Sequence, residues 1–316
     1  MEKSDKIFVA GHRGLVGSAL IRTLSTLGYT NIITRTHAEC DLTIQTAVKA
    51  LFQETQPDYV FLAAAKVGGI WANDNYPADF IQQNLQIQTN VIEQAKAHQV
   101  KRLLFLGSSC IYPRECPQPI KEEYLLSGPL ESTNRPYAIA KIAGIEMCRA
   151  FNRQFGTQYL AVMPTNLYGS GDNYDLKMSH VIPALIRKMH EAKINQAPQV
   201  TVWGTGLPKR EFLLSDDAAD ACIFLMKLPD EVFQQALPLI NVGCGEDLTI
   251  HELAQIIAKV VEFRGEIIFD STKPDGTPRK LLDVDQLTTL GWRPKKTLAE
   301  GLAIAYKDFV SNGLRG

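Results

Sequence analysis

A glycine-rich turn between an apolar strand and a helix limits the fold of this chain more than any other stretch. Ile7-Phe8-Val9-Ala10 has the compact apolar character of a buried strand, Gly11-His12-Arg13-Gly14-Leu15-Val16-Gly17 follows it, and Ser18 to Gly28 reads as a helix closed by glycine. Glycines let the backbone approach a pyrophosphate closely, and the N-terminus of the following helix favours its charge. The spacing G-x-x-G-x-x-G is weak as a string and strong in this setting. It predicts a dinucleotide site and therefore a parallel sheet.

The same rhythm continues down the chain. Asn31-Ile32-Ile33-Thr34, Tyr59 to Ala63, Leu103 to Leu106 and Tyr159 to Met163 read as strands. Helices from about Gln45 to Thr55, Pro77 to Ala97 and Pro136 to Phe155 alternate with them. This pattern predicts an α/β fold, a Rossmann doubly wound parallel sheet. After Gly169 the rhythm changes, with a loop at Ser170 to Asp175, a helix opening at Ser179, and short strands at Val200 to Gly204 and Ile267 to Phe269. These suit a smaller α+β substrate-binding lobe. In 316 residues there is room for both. The expected division is 1–165 with 211–246 for the Rossmann domain and 166–210 with 247–316 for the lobe, the last helices being able to return to the first domain. Capping boxes are expected at Thr249 to Glu252 and Thr297 to Glu300.

The second strand bears on the cofactor. An NAD site usually ends this strand in a carboxylate for the ribose hydroxyls, whereas here the chain reads Arg35-Thr36-His37. With Arg13 in the glycine loop, two guanidinium groups are available to a ribose 2′-phosphate, which predicts NADP(H). The plainer alternative makes Arg35 a solvated loop residue. Further cofactor contacts are expected from Asp41-Leu42, and from Ala63 and Ala65, Leu106-Gly107-Ser108-Ser109 and Pro164-Thr165-Asn166-Leu167, the last three groups next to strand ends.

Tyr137 and Lys141, four apart in Asn134-Arg135-Pro136-Tyr137-Ala138-Ile139-Ala140-Lys141, share one face of a helix. A nearby ammonium favours phenolate, so Lys141 is expected to lower the tyrosine's pKa toward the working range. The apolar run Leu103 to Leu106 ends in Gly107-Ser108-Ser109-Cys110, which places hydroxyls and a thiol where open α/β sheets bind ligands. On residue type alone, Cys110 is either a buried core thiol or a reactive one, and His180 either a helix cap or an acid.

Composition excludes several classes. Thirty-three basic against 34 acidic side chains give a net charge of -1, which recommends neither nucleic acid nor an anionic membrane. No apolar run is long enough to span a bilayer, no signal-peptide core precedes the first strand, and a cytoplasmic protein is expected. The six cysteines form no Cys-x-x-Cys pair, so no metal site is expected.

Taken together these residues resemble the extended short-chain dehydrogenase/reductase family over nearly the whole chain. The resemblance is carried by the glycine loop, Ala63 to Gly69, Gly107 to Pro113, Pro136 to Lys141, Met163 to Gly169, Ser179-His180-Val181-Ile182-Pro183 and Lys273 to Lys280. At its narrowest it is to the members that act on a GDP-sugar, and it implies 3,5-epimerisation followed by NADPH-dependent reduction at C4. It assigns Tyr137 as the acid at the ketone, Lys141 as its tuner and ribose ligand, Ser108 as carbonyl positioner, Cys110 as epimerisation base and His180 as its acid, next to the nicotinamide. It implies substrate binding by Lys188, Trp203, Arg210 and Asp275. A homodimer through the Pro77–Ala97 and Pro136–Phe155 helices is expected, because their apolar content exceeds one buried stripe. Two other readings stand beside this one: an NAD-retaining 4-epimerase or 4,6-dehydratase of the same fold, and a non-catalytic dinucleotide sensor. The former is disfavoured by Arg35, the latter by intact Ser108, Tyr137 and Lys141.

Overall fold

The computed structural model describes residues 1–176, 179–236, 239–273 and 275–313. The first half alternates as the hydrophobic pattern requires: β1 (Ile7–Ala10), α1 (Leu15–Thr26), β2 (Ile32–Ile33), α2 (Gln45–Thr55), β3 (Tyr59–Leu62), α3 (Ile70–Asn75), α4 (Pro77–Ala97), β4 (Arg102–Leu106), α5 (Arg135–Phe155) and β5 (Tyr159–Pro164). The remainder holds β6 (Asn166–Tyr168), α6 (Val181–Ile194), β7 (Gln199–Trp203), β8 (Lys209–Leu214), α7 (Ser215–Met226), α8 (Asp230–Ala236), β9 (Leu239–Val242), β10 (Asp247–Thr249), α9 (Ile250–Val261), β11 (Glu266–Asp270), β12 (Arg279–Lys280), α10 (Asp285–Thr289) and α11 (Leu298–Asn312).

The main sheet has the order β2-β1-β3-β4-β5-β9, and every pair in it is parallel. Strands such as β1, β3 and β9 are buried at every position, as expected where helices cover both faces. One face packs against α1 and α7 through Leu20, Leu24, Cys222 and Met226; the other packs against α2, α4 and α5 through Phe52, Val91, Ile92 and Ile145. The chain leaves β1 toward β2 and then returns past it to β3. The crevice beyond the carboxyl ends of β1 and β3 is therefore the switch point where such sheets bind ligands.

A third core, containing Tyr168, Ile186, Met189, Leu253, Ile257, Leu302 and Phe309, belongs to the lobe built around α6, α9 and α11. There β8 pairs with β6, β10 and β12, and β7 pairs with β11. Leu287 of α10 and Trp292 return to the first core, while α11 stays with the lobe. Both expected capping boxes are formed, with Thr249 and Thr297 each accepting from the N–H of a glutamate three residues on.

Two boundaries differ from the sequence reading. Helix α1 begins at Leu15, not Ser18, because the end of the glycine loop is already helical; Gly28 at φ +82° closes it. Strand β2 has two paired residues, Ile32 and Ile33, because it is an edge strand that meets only β1.

Candidate active site

The glycine loop is shaped by contacts that leave no room for a side chain. Gly11 has φ +84°, and a Cβ there would lie 2.7 Å from the Ala64 backbone nitrogen. A Cβ on Gly17 would come within 2.0 Å of the Gly11 carbonyl oxygen, so the first turn of α1 is seated directly on the end of β1. Gly14 caps α1 without a side-chain bond, which leaves the helix's leading N–H groups free for an anion. A cradle that any Cβ would fill, an uncapped helix and Ala63 and Ala65 beside it at the end of β3 together fit a dinucleotide diphosphate. The buried Nδ1 of His12 in this loop has no protein partner.

At the next strand end Arg35 is half-buried, donating to the Thr34 carbonyl at 3.0 Å and to the Glu54 carboxylate at 2.8 Å. Glu39 shows that Arg35 and Arg13 converge: its carboxyl is held below the usual range first by the Thr36 N–H and hydroxyl, and further by both guanidinium groups. This pair of cations suits a 2′-phosphate. His37 is largely open to solvent, 3.6 Å from Asp41, and Asp41 itself accepts from the Thr43 N–H and hydroxyl. Leu42 holds α4 through its carbonyl, which accepts from Asn90 at 2.9 Å.

At the centre of the sheet, Leu106 ends β4, and Gly107 passes so close to Met163 that a Cβ would lie 2.5 Å from its sulfur. The Ser108 hydroxyl accepts from the Cys110 N–H at 3.2 Å, which turns the chain into a short 3₁₀ segment, Ser109–Ile111, and presents Ser108 and Cys110 on the same side. Helix α5 delivers Tyr137 to that point, beside Ser108 and Cys110. Its ring packs edge-on against Phe80 of α4, with centroids 6.3 Å apart. One turn later the Lys141 ammonium lies 5.8 Å from the Tyr137 ring centroid and donates to the Leu106 carbonyl at 2.7 Å.

The electrostatics differ from the expectation that Lys141 lowers the tyrosine. Burial pushes the Tyr137 phenol well above its usual range, Cys110 pushes it the same way, and only the nearby Ser108 hydroxyl opposes them. Lys141, 3% exposed, is itself brought down by burial to about 7. Desolvation dominates for both groups, because both lie under the end of the sheet. The result is a neutral phenol, the form that donates a proton.

His180 sits directly before α6 as its N-cap residue and makes no side-chain cap, so its ring is left for another role. The residue is exposed, and the protein packed around its ring lowers its basicity, as does the Lys280 ammonium. Lys280 also places its Nζ 3.7 Å from the Cys110 sulfur. Tyr137, Ser108 and Cys110 thus meet at one strand end, with Lys280 beside the thiol. Thr165 and Asn166, at the end of β5, point elsewhere: both donate to the Glu211 carbonyl, at 3.1 and 2.9 Å. Pro164 and Leu167 flank them half-buried, while Val16 and Ser109 are buried in the crevice wall.

In the lobe, Trp203 is 67% exposed, with the ammonium groups of Lys188 and Lys273 lying 5.5 and 5.8 Å from its ring. Lys188 also donates to the Thr201 carbonyl at 3.3 Å. Asp275 accepts from the Thr205 N–H and hydroxyl at 2.9 and 2.7 Å and lies near Arg210, whose pKa falls through burial and is partly restored by that carboxylate. Pro274, within the same motif, lies outside the described residues. Because β12 runs parallel to β8 with Lys280 opposite Arg210, a line of cations leads from Trp203 toward Cys110. Among the described residues no cluster of three metal-ligating side chains occurs.

Two residues escaped the sequence reading. Lys280 was visible only as the last position of the Lys273 to Lys280 motif, with nothing local to tie it to Cys110. Glu211, fully buried, accepts from the N–H groups of Cys244, Gly245 and Leu282 at 2.7, 2.8 and 3.0 Å, and so fastens the lobe to the end of the main sheet.

Residues 7–243 match the model of the NAD dependent epimerase/dehydratase family. The chain is 58% identical over 312 residues to the putative GDP-L-fucose synthase 2 of Arabidopsis thaliana, covering 99% of this chain and 94% of that one. It is 55% identical to the GDP-L-fucose synthase of Escherichia coli strain K12, covering 98% and 97%. Among solved structures, a GDP-L-fucose synthetase from Naegleria fowleri bound to NADP superposes with a TM-score of 0.90 at 28% identity, covering 100% of this chain and 96% of that one.

Proposed function

The chain belongs to the NAD dependent epimerase/dehydratase family, and from that premise we propose that it converts GDP-4-keto-6-deoxy-mannose to GDP-L-fucose with NADPH. The observation that carries this reading is the presence of two chemistries at the end of β4: Tyr137 beside Ser108, suited to a ketone, and the Cys110 thiol, for which the His180 imidazole is the proposed partner. Reduction alone has no use for the second pair.

Protons on C3 and C5 are acidified by the C4 ketone, because the electron pair left on either carbon delocalises onto the carbonyl oxygen as an enolate. Cys110 takes such a proton as thiolate, and His180 returns one to the opposite face. Ser108 donates to the carbonyl oxygen and holds it beside Tyr137. NADPH, when bound, supplies the hydride to C4. Tyr137, kept neutral by burial, gives its proton to the oxygen as that charge develops. Lys141 holds the ribose, while Arg35 and Arg13 take the 2′-phosphate. Lys188 and Arg210 take the diphosphate, Trp203 offers an open aromatic face, and Asp275 accepts from sugar or base donors.

The proposal includes a homodimer. Helices α4 and α5 lie side by side, and residues on or near them, Tyr76, Ile139 and Phe155, are exposed at 49, 43 and 44%. A monomer at micromolar concentration in sedimentation would refute the dimer. No helix among the described residues is long and apolar enough to cross a membrane. Six free cysteines and a need for NADPH favour a cytoplasmic setting.

The test of the activity is to incubate the protein with GDP-4-keto-6-deoxy-mannose and NADPH in deuterated water. Deuterium at C3 and C5 of the product together with oxidation of NADPH is expected. Reduction without exchange would leave a plain reductase, and no turnover would reject the assignment.

A further inference from the structure

Asn241 is a wholly buried amide in β9, a strand whose other members, Leu239, Ile240 and Val242, are apolar. Its NH₂ group donates to the carbonyls of Ile120 at 2.9 Å and Asp283 at 3.0 Å, so its oxygen is turned to the Tyr112 hydroxyl, which donates to it at 2.6 Å. Its backbone N–H donates to the Glu122 carboxylate at 2.9 Å. A buried amide engaged in this way fixes its partners in one arrangement. An apolar side chain would suit the strand and leave those partners untied.

The partners lead to one place. Tyr112, itself buried, follows the 3₁₀ segment Ser109–Ile111 and lies two residues beyond Cys110. Asp283 lies three residues beyond Lys280. Ile120 joins the second arm directly: its N–H donates to the Leu281 carbonyl at 2.7 Å and its carbonyl accepts from the Asp283 N–H at 2.8 Å, while the Leu281 N–H donates to the Gln118 side chain at 2.8 Å. Cys110, Tyr112, Gln118, Ile120 and Lys280 line one cavity of about 60 Å³, and the Lys280 Nζ lies 3.7 Å from the Cys110 sulfur. Thiol and ammonium therefore come from two arms that meet on the Asn241 amide.

We propose that Asn241 is a positioning residue for epimerisation: by tying Tyr112 to Ile120 and Asp283, it holds the Cys110 sulfur against the Lys280 ammonium, where the sugar's protons are to be taken. This rests on the epimerase-reductase reading above. Asn241 acts through Tyr112 and not by contact with the sugar. Removal of a proton depends on where the base stands, and a displacement of about 1 Å can cost on the order of a hundredfold in rate. Nucleotide binding depends on Lys188, Trp203 and Arg210, none of which is bonded to Asn241.

Two variants test the role. Tyr112→Phe removes only the hydroxyl that links Asn241 to the Cys110 arm and keeps the buried ring, whereas Asn241→Leu cuts all three side-chain links. Each is given the ketosugar and NADP⁺ in deuterated water, so that exchange at C3 and C5 is read with no hydride to follow. Rates are counted per NADPH-binding site, which removes any unfolded fraction. In Tyr112→Phe, kcat for exchange is expected to fall on the order of tenfold, while KM for the ketosugar and the affinity for NADPH stay at the parent protein's values. Asn241→Leu is expected to lose more. Exchange at the parent rate in Tyr112→Phe would overturn the positioning role, whether or not Asn241→Leu folds. A fall accompanied by an equal worsening of KM and of NADPH affinity would overturn it as well, because that pattern is general loosening. A parent protein that exchanges no deuterium would instead sink the epimerase reading, and the positioning role with it.

Discussion

Binding of NADPH should draw a proton from solution, and Lys141 is the reason. Its ammonium is 3% exposed, its hydrogen-bond partner is the neutral Leu106 carbonyl at 2.7 Å, and burial lowers its pKa from 10.5 to about 7. At roughly 1.4 kcal/mol per pKa unit, that displacement is on the order of 5 kcal/mol against the charged form. Ribose oxygens that accept from the ammonium, and phosphates that carry negative charge, restore the charged form when the cofactor binds. At pH 8 about nine-tenths of Lys141 is neutral in the free protein, so binding should take up roughly 0.9 proton; at pH 6 the uptake should be roughly 0.1. The 2′-phosphate, with a second pKa of about 6, contributes little at pH 8. Titration calorimetry at pH 8 in phosphate and in Tris reads this directly, because the observed enthalpies differ by the buffers' ionisation enthalpies multiplied by the protons taken up. Lys141→Met should abolish the difference. Enthalpies that agree between buffers for the parent protein at pH 8 would refute the argument. The same shift has a sign for stability: between about pH 7 and 10.5 the native Lys141 binds fewer protons than the unfolded one. The free protein therefore gains stability from this group as pH rises through that window.

Two further substitutions test the frame. Gly17→Ala places a methyl group 2.0 Å from the Gly11 carbonyl, so the loop must move; NADPH affinity measured by fluorescence should fall at least about tenfold, and wild-type affinity would contradict the packing. Glu211→Ala leaves three N–H groups without their acceptor, that of Leu282 buried and those of Cys244 and Gly245 partly so, at about 1–3 kcal/mol each where water is kept out. With the buried charge's own desolvation cost removed as an offset, a net loss of roughly 3–5 kcal/mol corresponds to a melting temperature about 5–8 °C lower for 316 residues; an unchanged melt would show that the junction is not needed.

What was legible beforehand was local. The strand-turn-helix at Ile7 to Gly28, the helical spacing of Tyr137 and Lys141, the capping boxes at Thr249 and Thr297, and Arg35 in place of a carboxylate are all properties of short windows of sequence. In such windows backbone sterics and side-chain periodicity leave few choices. The expected relation between Tyr137 and Lys141 held in geometry and differed in electrostatics. Four residues of spacing put the two groups one turn apart, but the depth at which α5 lies beneath the end of β4 sets their charges.

The amino-acid sequence by itself determined a parallel α/β sheet, a dinucleotide loop and a phenol placed one helical turn from an amine. Tertiary structure alone decided that Lys280, 170 residues away in the chain, stands beside Cys110, that His180 leaves its helix uncapped, and that Glu211 fastens the lobe to the sheet. Such contacts join segments whose separation along the chain carries no signal. Their protonation, moreover, follows from how much protein surrounds each group, which only the packed molecule defines.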